Sequence, residues 1–310
     1  MKNYITVCFL LCCAWLSAQE KNPLLADPTI FENEGTYYLY GTKGAKDVDG
    51  EGFQVYTSTD LKNWKKPAAS NGFAFKKGDG YGTTGFWAPQ VFKHNNRFYM
   101  AYTANEQIAI ASSDSPLGPF KNDGKPLAAD VRQIDPFIFF DNGKIYLYHV
   151  RLENGNRIFV AEMENDLSAI KPGTLKECIT ATKPWEDTEK VKWTVTEGPT
   201  VFKKDNLYYL LYSANDFRNK DYAVGCATSK SPYGPWEKPD SPFISQSLLK
   251  YPGTGHGDVF YDKKGSMYYV FHTHFSESEV APRKTAIIPV TLKGKQLSIA
   301  KGKNIIWLVL

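Results

Sequence analysis

A five-residue segment recurs five times along the chain and constrains its fold more than any other feature. The copies begin at Asp27, Ala88, Asp135, Gly198 and His256. Each copy ends in a β-branched residue followed by phenylalanine, and four of the five carry proline at the second position. Such a repeat is typical of folds built from equivalent units, in which each unit buries its hydrophobic face against its neighbours.

Each copy begins a unit of about four short strands. A polar turn and an aromatic strand follow it, at 35–40, 97–102, 144–148, 207–212 and 267–272. A third strand comes next, at 53–58, 108–112, 157–161, 223–227 and 285–289. No helical periodicity separates the units, and the aromatic fraction of 15% suits strands. The sequence therefore predicts an all-β fold, a five-bladed β-propeller in a single domain, with 305–310 as a closing strand.

The first 18 residues have the pattern of a secretory signal peptide. Lys2 precedes the apolar run 5–16, and two small residues follow it. The run is too short to span a bilayer, so we expect cleavage after Ala18 and a catalytic domain over 19–310. The predicted location is secreted or periplasmic. A lipoprotein anchor is less favoured, because neither of the adjacent cysteines in the run follows a small residue.

Charge and cysteine content exclude several classes of protein. Lys and Arg total 37 against 33 Asp and Glu, and the charges are scattered singly, so the basic face that a nucleic-acid partner needs is not expected. No stretch after the signal is long and apolar enough for a membrane span. Only Cys178 and Cys226 remain after the signal, which is too few for a disulfide framework. A single disulfide between these two cysteines is one alternative, and two free thiols are the favoured one. The sequence does not determine the oligomeric state.

The starts of the five repeats predict one shared site. In a propeller the first strand of each blade lines the central channel, so Asp27, Asp135 and His256 should converge there, with Glu197 directly before Gly198. Clustered carboxylates raise one another's pKa values, which is typical of active sites that need both an acid and a base. An Asp before Pro is often only a turn former. Recurrence at equivalent positions favours the functional interpretation.

The segments at these positions resemble glycoside hydrolase family 43, whose members are inverting five-bladed propeller enzymes acting on arabinose- and xylose-containing glycans. The matching segments are Ala26-Asp27-Pro28, Trp87-Ala88-Pro89, Asp135-Pro136-Phe137, Thr196-Glu197-Gly198-Pro199 and Gly253-Thr254-Gly255-His256-Gly257. The resemblance runs from about residue 24 to about residue 290. Each segment is weak by itself, but five in order at blade spacing are specific.

The resemblance implies roles for three carboxylates. Asp27 would be the general base, Glu197 the general acid, and Asp135 would tune and orient Glu197. A single displacement of this kind needs the base and the acid roughly 6.5–9.5 Å apart, so that water fits between the base and the sugar. A retaining mechanism, with carboxyl groups about 5–5.5 Å apart, is the alternative.

The resemblance also implies a substrate contact at His256, the family's central histidine, which often lies beside a calcium ion, partly through water. Imidazole is a poor direct calcium ligand, so Ca²⁺ in the channel and a hydrogen-bonded histidine are both open, and no cofactor is expected to be required for the chemistry. His272 and His274 share one strand face, but metal binding there is disfavoured. Arg283 matches an arginine that enters the sugar pocket, with a solvated loop position as the alternative.

Aromatic residues and long loops suggest which bond is cut. Trp87 and Phe86 are expected to contact the substrate, and Tyr81 and Trp193 stand in loops where a ring could also stack on a sugar. The long stretches 68–86 and 171–195 could close a pocket, which predicts an exo-acting α-L-arabinofuranosidase. A β-xylosidase or an endo-1,5-α-arabinanase with the same carboxylates is the nearest alternative. A branch of the family that acts on galactans differs at the position of the general base. The presence of Asp27 at that position disfavours this branch. A non-catalytic sugar-binding propeller is the alternative of another class.

Overall fold

The computed structural model describes residues 22–43, 50–302 and 304–310. The predicted signal peptide and its cleavage site lie outside the described residues. The regular secondary structure of the described part is almost entirely antiparallel β-strand, which confirms the all-β prediction. Those residues include no helix with the length and apolar character that a membrane span requires.

The strands form five main sheets in chain order. The first contains β1 (Leu25–Asn33), β2 (Thr36–Lys43) and β4 (Tyr56–Ser58), beside a small pair, β3 (Gly52–Gln54) and β5 (Phe73–Lys76). The second contains β6 (Trp87–His94), β7 (Arg97–Ala104) and β8 (Gln107–Ser113). The third contains β9 (Gln133–Asp141), β10 (Lys144–Leu152), β11 (Asn156–Glu162) and β12 (Lys176–Ile179).

The remaining two sheets complete the set. The fourth contains β13 (Thr196–Lys204), β14 (Leu207–Ala214) and β15 (Ala223–Ser229). The fifth contains β16 (Gly255–Tyr261), β17 (Met267–Thr273), β18 (Lys284–Lys293), β19 (Gln296–Ile299) and β20 (Ile306–Trp307). Helical structure in the described ranges is limited to α1 (Gln246–Leu249) and the 3₁₀ turns Ala69–Gly72 and Pro184–Glu186.

The five sheets are arranged cyclically. The first strand of each sheet, β1, β6, β9, β13 or β16, is an edge strand, and it contacts the first strands of the preceding and following sheets, with β16 against β1. In the described part of the chain, five hydrophobic clusters fill the spaces between consecutive sheets, including the space between the fifth sheet and the first. The core is therefore divided among five interfaces, as repeated units that bury their faces against neighbours require.

Sequence explains the hairpins within each sheet. The turn between β9 and β10 is Asn142-Gly143, and both residues have positive φ, 49° and 74°, as a two-residue hairpin turn requires.

Tyrosines of the second strands join neighbouring sheets. Tyr40 donates a hydrogen bond to Pro116 O, and Tyr148 donates one to Pro232 O at 2.6 Å. Pro116 and Pro232 belong to two segments of similar sequence, Ser-Pro-Leu-Gly-Pro-Phe at 115–120 and Ser-Pro-Tyr-Gly-Pro-Trp at 231–236, which thus occupy equivalent positions.

The two ends of the described chain meet between the fifth sheet and the first. Asn22 Nδ2 donates to Thr285 O at 2.8 Å, at the start of β18. β20 pairs with β18, and Trp64 N–H then donates to Val309 O at 2.7 Å. The prediction of a closing strand in 305–310 is confirmed for Ile306–Trp307. Cys178 and Cys226 are both free thiols.

Candidate active site

A β-bulge at the start of each repeat positions the site. Asp27, Ala88, Asp135, Gly198 and His256 have φ values of 47°, 45°, 54°, 59° and 36°. The pairing register between the first and second strands shifts at each of these places. Bulges re-aim side chains, and these five lie where the first strands of the five sheets meet. Strained left-handed backbone at four non-glycine residues is typical of functional sites.

The ends of the second strands hold four of these bulges in place. The bulge N–H groups of Asp27, Ala88, Asp135 and His256 donate respectively to His272 Nδ1 at 3.1 Å, Thr42 Oγ1 at 2.9 Å, Thr103 Oγ1 at 2.9 Å and Ser213 Oγ at 2.7 Å. Val150 occupies the equivalent place in the third sheet and offers no side-chain acceptor. Gly198 N–H donates instead to Asp135 Oδ2 at 3.2 Å, so the bulge of the fourth sheet orients a carboxylate.

The bulges surround a cavity of about 290 Å³. Asp27, Asp135 and Glu197 all line it, together with His256, Arg283 and Trp87. The structure therefore brings together the three carboxylates that the repeat predicted to converge. Bulge residues and the residues directly before them supply Asp27, Trp87, Ile134, Asp135, Glu197 and His256, and later strands and loops supply the rest of the lining.

Asp27 lies among cationic and polar groups. Its Oδ1 is 3.5 Å from Arg283 Nη1, and its Oδ2 accepts a 2.6 Å hydrogen bond from Thr42. Burial opposes ionisation of Asp27, but Arg283, His256, His272 and the bond from Thr42 outweigh it and hold its pKa below the usual aspartate range. Burial also lowers the pKa of both histidines, so Arg283 supplies the lasting positive charge at neutral pH. Of the three carboxyl groups Asp27, Asp135 and Glu197, Asp27 is therefore the one that stays ionised.

Glu197 has the opposite tendency. It is 9% exposed; its Oε1 accepts from the Tyr222 hydroxyl at 2.8 Å, and its Oε2 accepts from Asn156 Nδ2 at 3.1 Å. Burial raises the pKa of Glu197 to about 7, with the bond from Tyr222 acting against it and the charge of Asp27 acting with it. A carboxyl group with this pKa retains a proton near neutral pH, which a general acid needs.

Asp135 is 5% exposed and lies close enough to the other two carboxyl groups to be affected by the charge of each. Burial, followed by the charges of Glu197 and Asp27, raises the pKa of Asp135 well above the usual aspartate value. Its Oδ2 is 3.8 Å from His256 Nδ1, the nitrogen that also lies 3.3 Å from Asp27 Oδ1. Asp135 and Glu197 thus hold protons at pH values at which Asp27 is ionised.

One ring nitrogen of His256 already faces protein carboxyl groups. This nitrogen, Nδ1, lies beside Asp27 and Asp135, and the ring lies so close to Gly198 that a Cβ there would be 2.7 Å from it. In the ranges that the structure describes, no group of three or more His, Cys, Asp or Glu side chains could hold a metal ion. A calcium ion held through water beside His256 stays a prediction.

Arg283 lies in the cavity and is only 5% exposed, so the exposed-loop alternative is wrong. Its guanidinium is 4.8 Å from the centroid of the Phe217 ring, and its Nη1 is 3.4 Å from His272 Nε2. Protein groups occupy both histidines of this strand. His272 contacts Asp27 N–H and Arg283, and His274 Nε2 is 2.8 Å from Phe217 O. Arg283 is thus fixed beside Asp27.

The aromatic residues predicted to bind substrate have different positions. Trp87 lines the cavity, whereas Phe86 is 3% exposed and packs edge-on against Phe53 in the core between the first two sheets. The prediction that Phe86 contacts the substrate is wrong. Phe86 precedes Trp87 and the bulge residue Ala88, and its ring lies in the core and not in the cavity. Tyr81 also packs against that core. Trp193 is 45% exposed, and its indole reaches Asn156.

Several residues of the site fall outside the repeated segments. Tyr222 and Asn156 contact Glu197, while Phe217 and Asp216 line the cavity from the loop after β14. Tyr222 fits because Gly255, opposite its ring, has no Cβ, and a Cβ there would overlap the ring. The glycine before His256 was visible in the sequence, but it gave no indication of its partner.

Comparisons with known proteins point to one family of enzymes. The model of glycosyl hydrolases family 43 matches residues 21–296. A crystal structure of endo-1,4-beta-xylanase from Bacteroides thetaiotaomicron VPI-5482 is 40% identical, with a TM-score of 0.85 and coverage of 94% of this chain and 98% of that one. Beta-D-galactofuranosidase xynD of Aspergillus niger is 24% identical over 81% of this chain and 74% of its own length.

A third relative is longer than this chain. The non-reducing end alpha-L-arabinofuranosidase BoGH43B of Bacteroides ovatus is 25% identical over 87% of this chain, which spans 52% of that protein. The named activities differ among these relatives, so they share a family rather than one substrate. Because the family model matches most of its length, this chain belongs to glycoside hydrolase family 43.

Proposed function

We propose that this glycoside hydrolase inverts the configuration of the anomeric carbon, with Asp27 as general base and Glu197 as general acid. The observation that carries the proposal is the opposite displacement of their pKa values in one cavity. Two carboxyl groups whose environments separate their pKa values are the usual basis for assigning a base and an acid.

In the proposed reaction, the ionised Asp27 accepts a proton from water while the water oxygen bonds to the anomeric carbon. The bond between that carbon and the glycosidic oxygen breaks, and its electron pair stays on the leaving oxygen. Glu197 gives its proton to the same oxygen. Solvent then reprotonates Glu197 and removes the proton from Asp27.

Asp135 is proposed to tune and orient Glu197 without exchanging a proton with substrate. Its Oδ2 accepts from the N–H of Gly198, the residue that follows Glu197, so it fixes the backbone that carries the acid. Its carboxyl group is also close enough for each group to favour the neutral form of the other. Asp135→Asn would keep the hydrogen bond and lose this mutual effect.

We propose exo action on arabinofuranosyl groups of plant-type polysaccharides or oligosaccharides. The cavity volume of about 290 Å³ is at the lower end of small-molecule sites, which suits one terminal sugar ring. Trp87 and Phe217 offer ring faces, and Arg283 offers donors beside Asp27. Xylan-directed activity is the second candidate, because the 40% identical structure is named an endo-1,4-beta-xylanase. Endo-1,5-α-arabinanase activity would use the same carboxylates.

A substrate panel tests this proposal. Purified protein is incubated with 4-nitrophenyl α-L-arabinofuranoside, 4-nitrophenyl β-D-xyloside, linear arabinan and xylan, and products are followed by ¹H NMR. We expect turnover of the arabinofuranoside, single sugars from polymer ends, and inverted configuration in the first-formed anomer. Xyloside turnover alone would assign the second candidate, oligosaccharides released early from arabinan would assign the endo-arabinanase, and retained configuration would overturn the mechanism.

The control for the panel is loss of the carboxylates. Glu197→Gln and Asp27→Asn should each lower kcat by on the order of 10²-fold or more, since general acid–base catalysis contributes about that much. Glu197→Gln should keep the wild-type Tm within a few degrees, because Glu197 is already neutral near pH 7 and bonds only neutral donors. Asp27→Asn should still fold but with a lower Tm, because it leaves the buried charge of Arg283 without its carboxylate. Sugar binding without turnover by the wild-type protein would instead identify a non-catalytic binding module.

We further propose that the five sheets are the blades of one propeller over residues 19–310. Export through the predicted signal is proposed with it; two arabinanase relatives from Bacillus subtilis are named extracellular. Amino-terminal sequencing of protein expressed in full should read from Gln19. A first residue before Ala18 would contradict the cleavage site.

A further inference from the structure

A surface tryptophan is connected to the proposed general acid through one asparagine. Trp193 Nε1 donates a hydrogen bond to Asn156 Oδ1 at 2.8 Å, and Asn156 Nδ2 donates to Glu197 Oε2 at 3.1 Å. Trp193 is 45% exposed, although a large aromatic residue gains more from burial. Its exposure and its fixed indole N–H together call for an explanation.

The chemistry of the indole determines how Asn156 is oriented. An asparagine side chain presents an oxygen or a nitrogen on nearly the same shape, and a flip exchanges them. The indole N–H can only donate, so Asn156 must turn its oxygen to Trp193. Its NH₂ group then faces Glu197 and can only donate to it. Without the indole, the reversed amide would place an acceptor against Oε2.

The backbone holds this pair together. Asn156 N–H donates to Thr194 O at 2.9 Å, and Asn156 pairs with Val195 in a parallel bridge. Gly155 permits the approach, because a Cβ there would lie 2.8 Å from Thr194 O. Thr194, which follows Trp193 in the chain, is therefore hydrogen-bonded to Asn156, the residue that the Trp193 indole contacts.

The loop that carries Trp193 is anchored at its other end by a buried ion pair. Glu186 is fully buried; it accepts from Lys238 Nζ at 2.5 Å and from the Tyr212 hydroxyl at 2.5 Å. Breaking such a pair leaves an uncompensated buried charge, so this end of the loop is firmly held. The segment that carries Trp193 is thus anchored on both sides, at Glu186 and at Thr194.

We propose that Trp193 is a positioning residue, which acts through Asn156 to hold the catalytic acid Glu197 in the orientation that protonates the leaving group. This inference rests on the proposed role of Glu197. The donor from Asn156 stabilises the carboxylate that Glu197 becomes after it has given up its proton. The contribution of Trp193 is therefore largest when the leaving group needs a full proton.

Trp193→Phe is the decisive variant, because it removes the N–H and keeps a ring. Kinetics are measured on a 4-nitrophenyl pentoside, whose leaving group needs little protonation, and on the methyl pentoside of the same sugar, which needs full protonation. Neither aglycone contains a second sugar that could stack on the ring. We expect kcat to fall roughly tenfold on the methyl glycoside and less than about threefold on the aryl glycoside.

The pH profile gives a second readout. When the amide of Asn156 is free to reverse, the ionised form of Glu197 loses a donor, so the alkaline limb of kcat/KM should move to higher pH. Trp185→Phe is the matched control: it removes an indole N–H from the same loop, but that N–H bonds Pro239 O at 3.3 Å. This control should keep the wild-type profile and leaving-group dependence.

Two results would overturn the inference. One is a Trp193→Phe enzyme with the wild-type pH profile and the same loss on both substrates. The other is normal kinetics in Trp193→Phe with a raised KM for oligosaccharides in Trp193→Ala, which would make the ring a sugar contact only. Failure of the proposed function itself looks different, because Glu197→Gln would then keep wild-type activity.

Discussion

Asp27 and Glu197 are carboxyl groups of the same cavity, and their immediate neighbours decide which of them is ionised. Asp27 has Arg283 and the Thr42 hydroxyl within reach, whereas Glu197 has only the neutral donors Tyr222 and Asn156. Neutral donors offset part of the desolvation of a buried carboxylate, but a guanidinium offsets much more. In the proposed mechanism, Arg283 therefore accounts for much of the difference between the base Asp27 and the acid Glu197.

This difference predicts the pH dependence of hydrolysis. Because the pKa of Glu197 is raised to about 7, kcat/KM should fall as pH rises through about 7, where the acid loses its proton. Because the pKa of Asp27 is lowered, activity should persist in acid to below the usual aspartate pKa, about 3.9. The profile is measured from pH 3 to 9 on a methyl pentoside.

The control for this profile is Glu197→Ala, with the variant and the wild-type protein both assayed on the 4-nitrophenyl pentoside. This variant should be slow, and its rate should no longer fall above pH 7, because the group that titrates is absent. An alkaline limb that survives in the variant would assign the titration to another residue, with Asp135 the next to test.

At the scale of elements, the bulge at each repeat start determines which residues could be predicted from sequence. Asp27, Asp135 and His256 occupy one repeated position and Glu197 the position before another, so alignment of the repeats found them. The same alignment extended to the ends of the second strands would have found the residues that hold the bulges: Thr42, Thr103, Ser213 and His272.

Residues that reach the site from unrepeated loops could not be found in this way. Asn156 begins β11 and Tyr222 precedes β15, and each approaches Glu197 through packing that no local pattern encodes. Phe86 was misassigned because it adjoins Trp87, yet only Trp87 stands at the position before the bulge that faces the cavity. Sequence proximity to a site is therefore weaker evidence than position within the repeat.

For the whole molecule, the cyclic arrangement makes the junction between the fifth sheet and the first essential to the site. Asp27 belongs to the first sheet, while His272 and Arg283 belong to the fifth or directly precede its β18. The charge that keeps Asp27 ionised thus acts across this junction. The same junction is where the two ends of the described chain are joined, so its stability and the alignment of the base are linked.

Leu308 tests how much the end of the chain contributes to this junction. It is 2% exposed in the cluster between the fifth sheet and the first, whereas Leu310 is 44% exposed. Leu308→Ala should destabilise by about 2–5 kcal/mol, as buried leucines do, and lower Tm by on the order of 5–10 °C. Leu310→Ala, the same substitution at an exposed position, should leave Tm unchanged. Because Leu308 does not line the cavity, kcat at 25 °C should stay near the wild-type value. Equal Tm values for the two variants in thermal unfolding would show that the junction between the fifth sheet and the first does not depend on this segment.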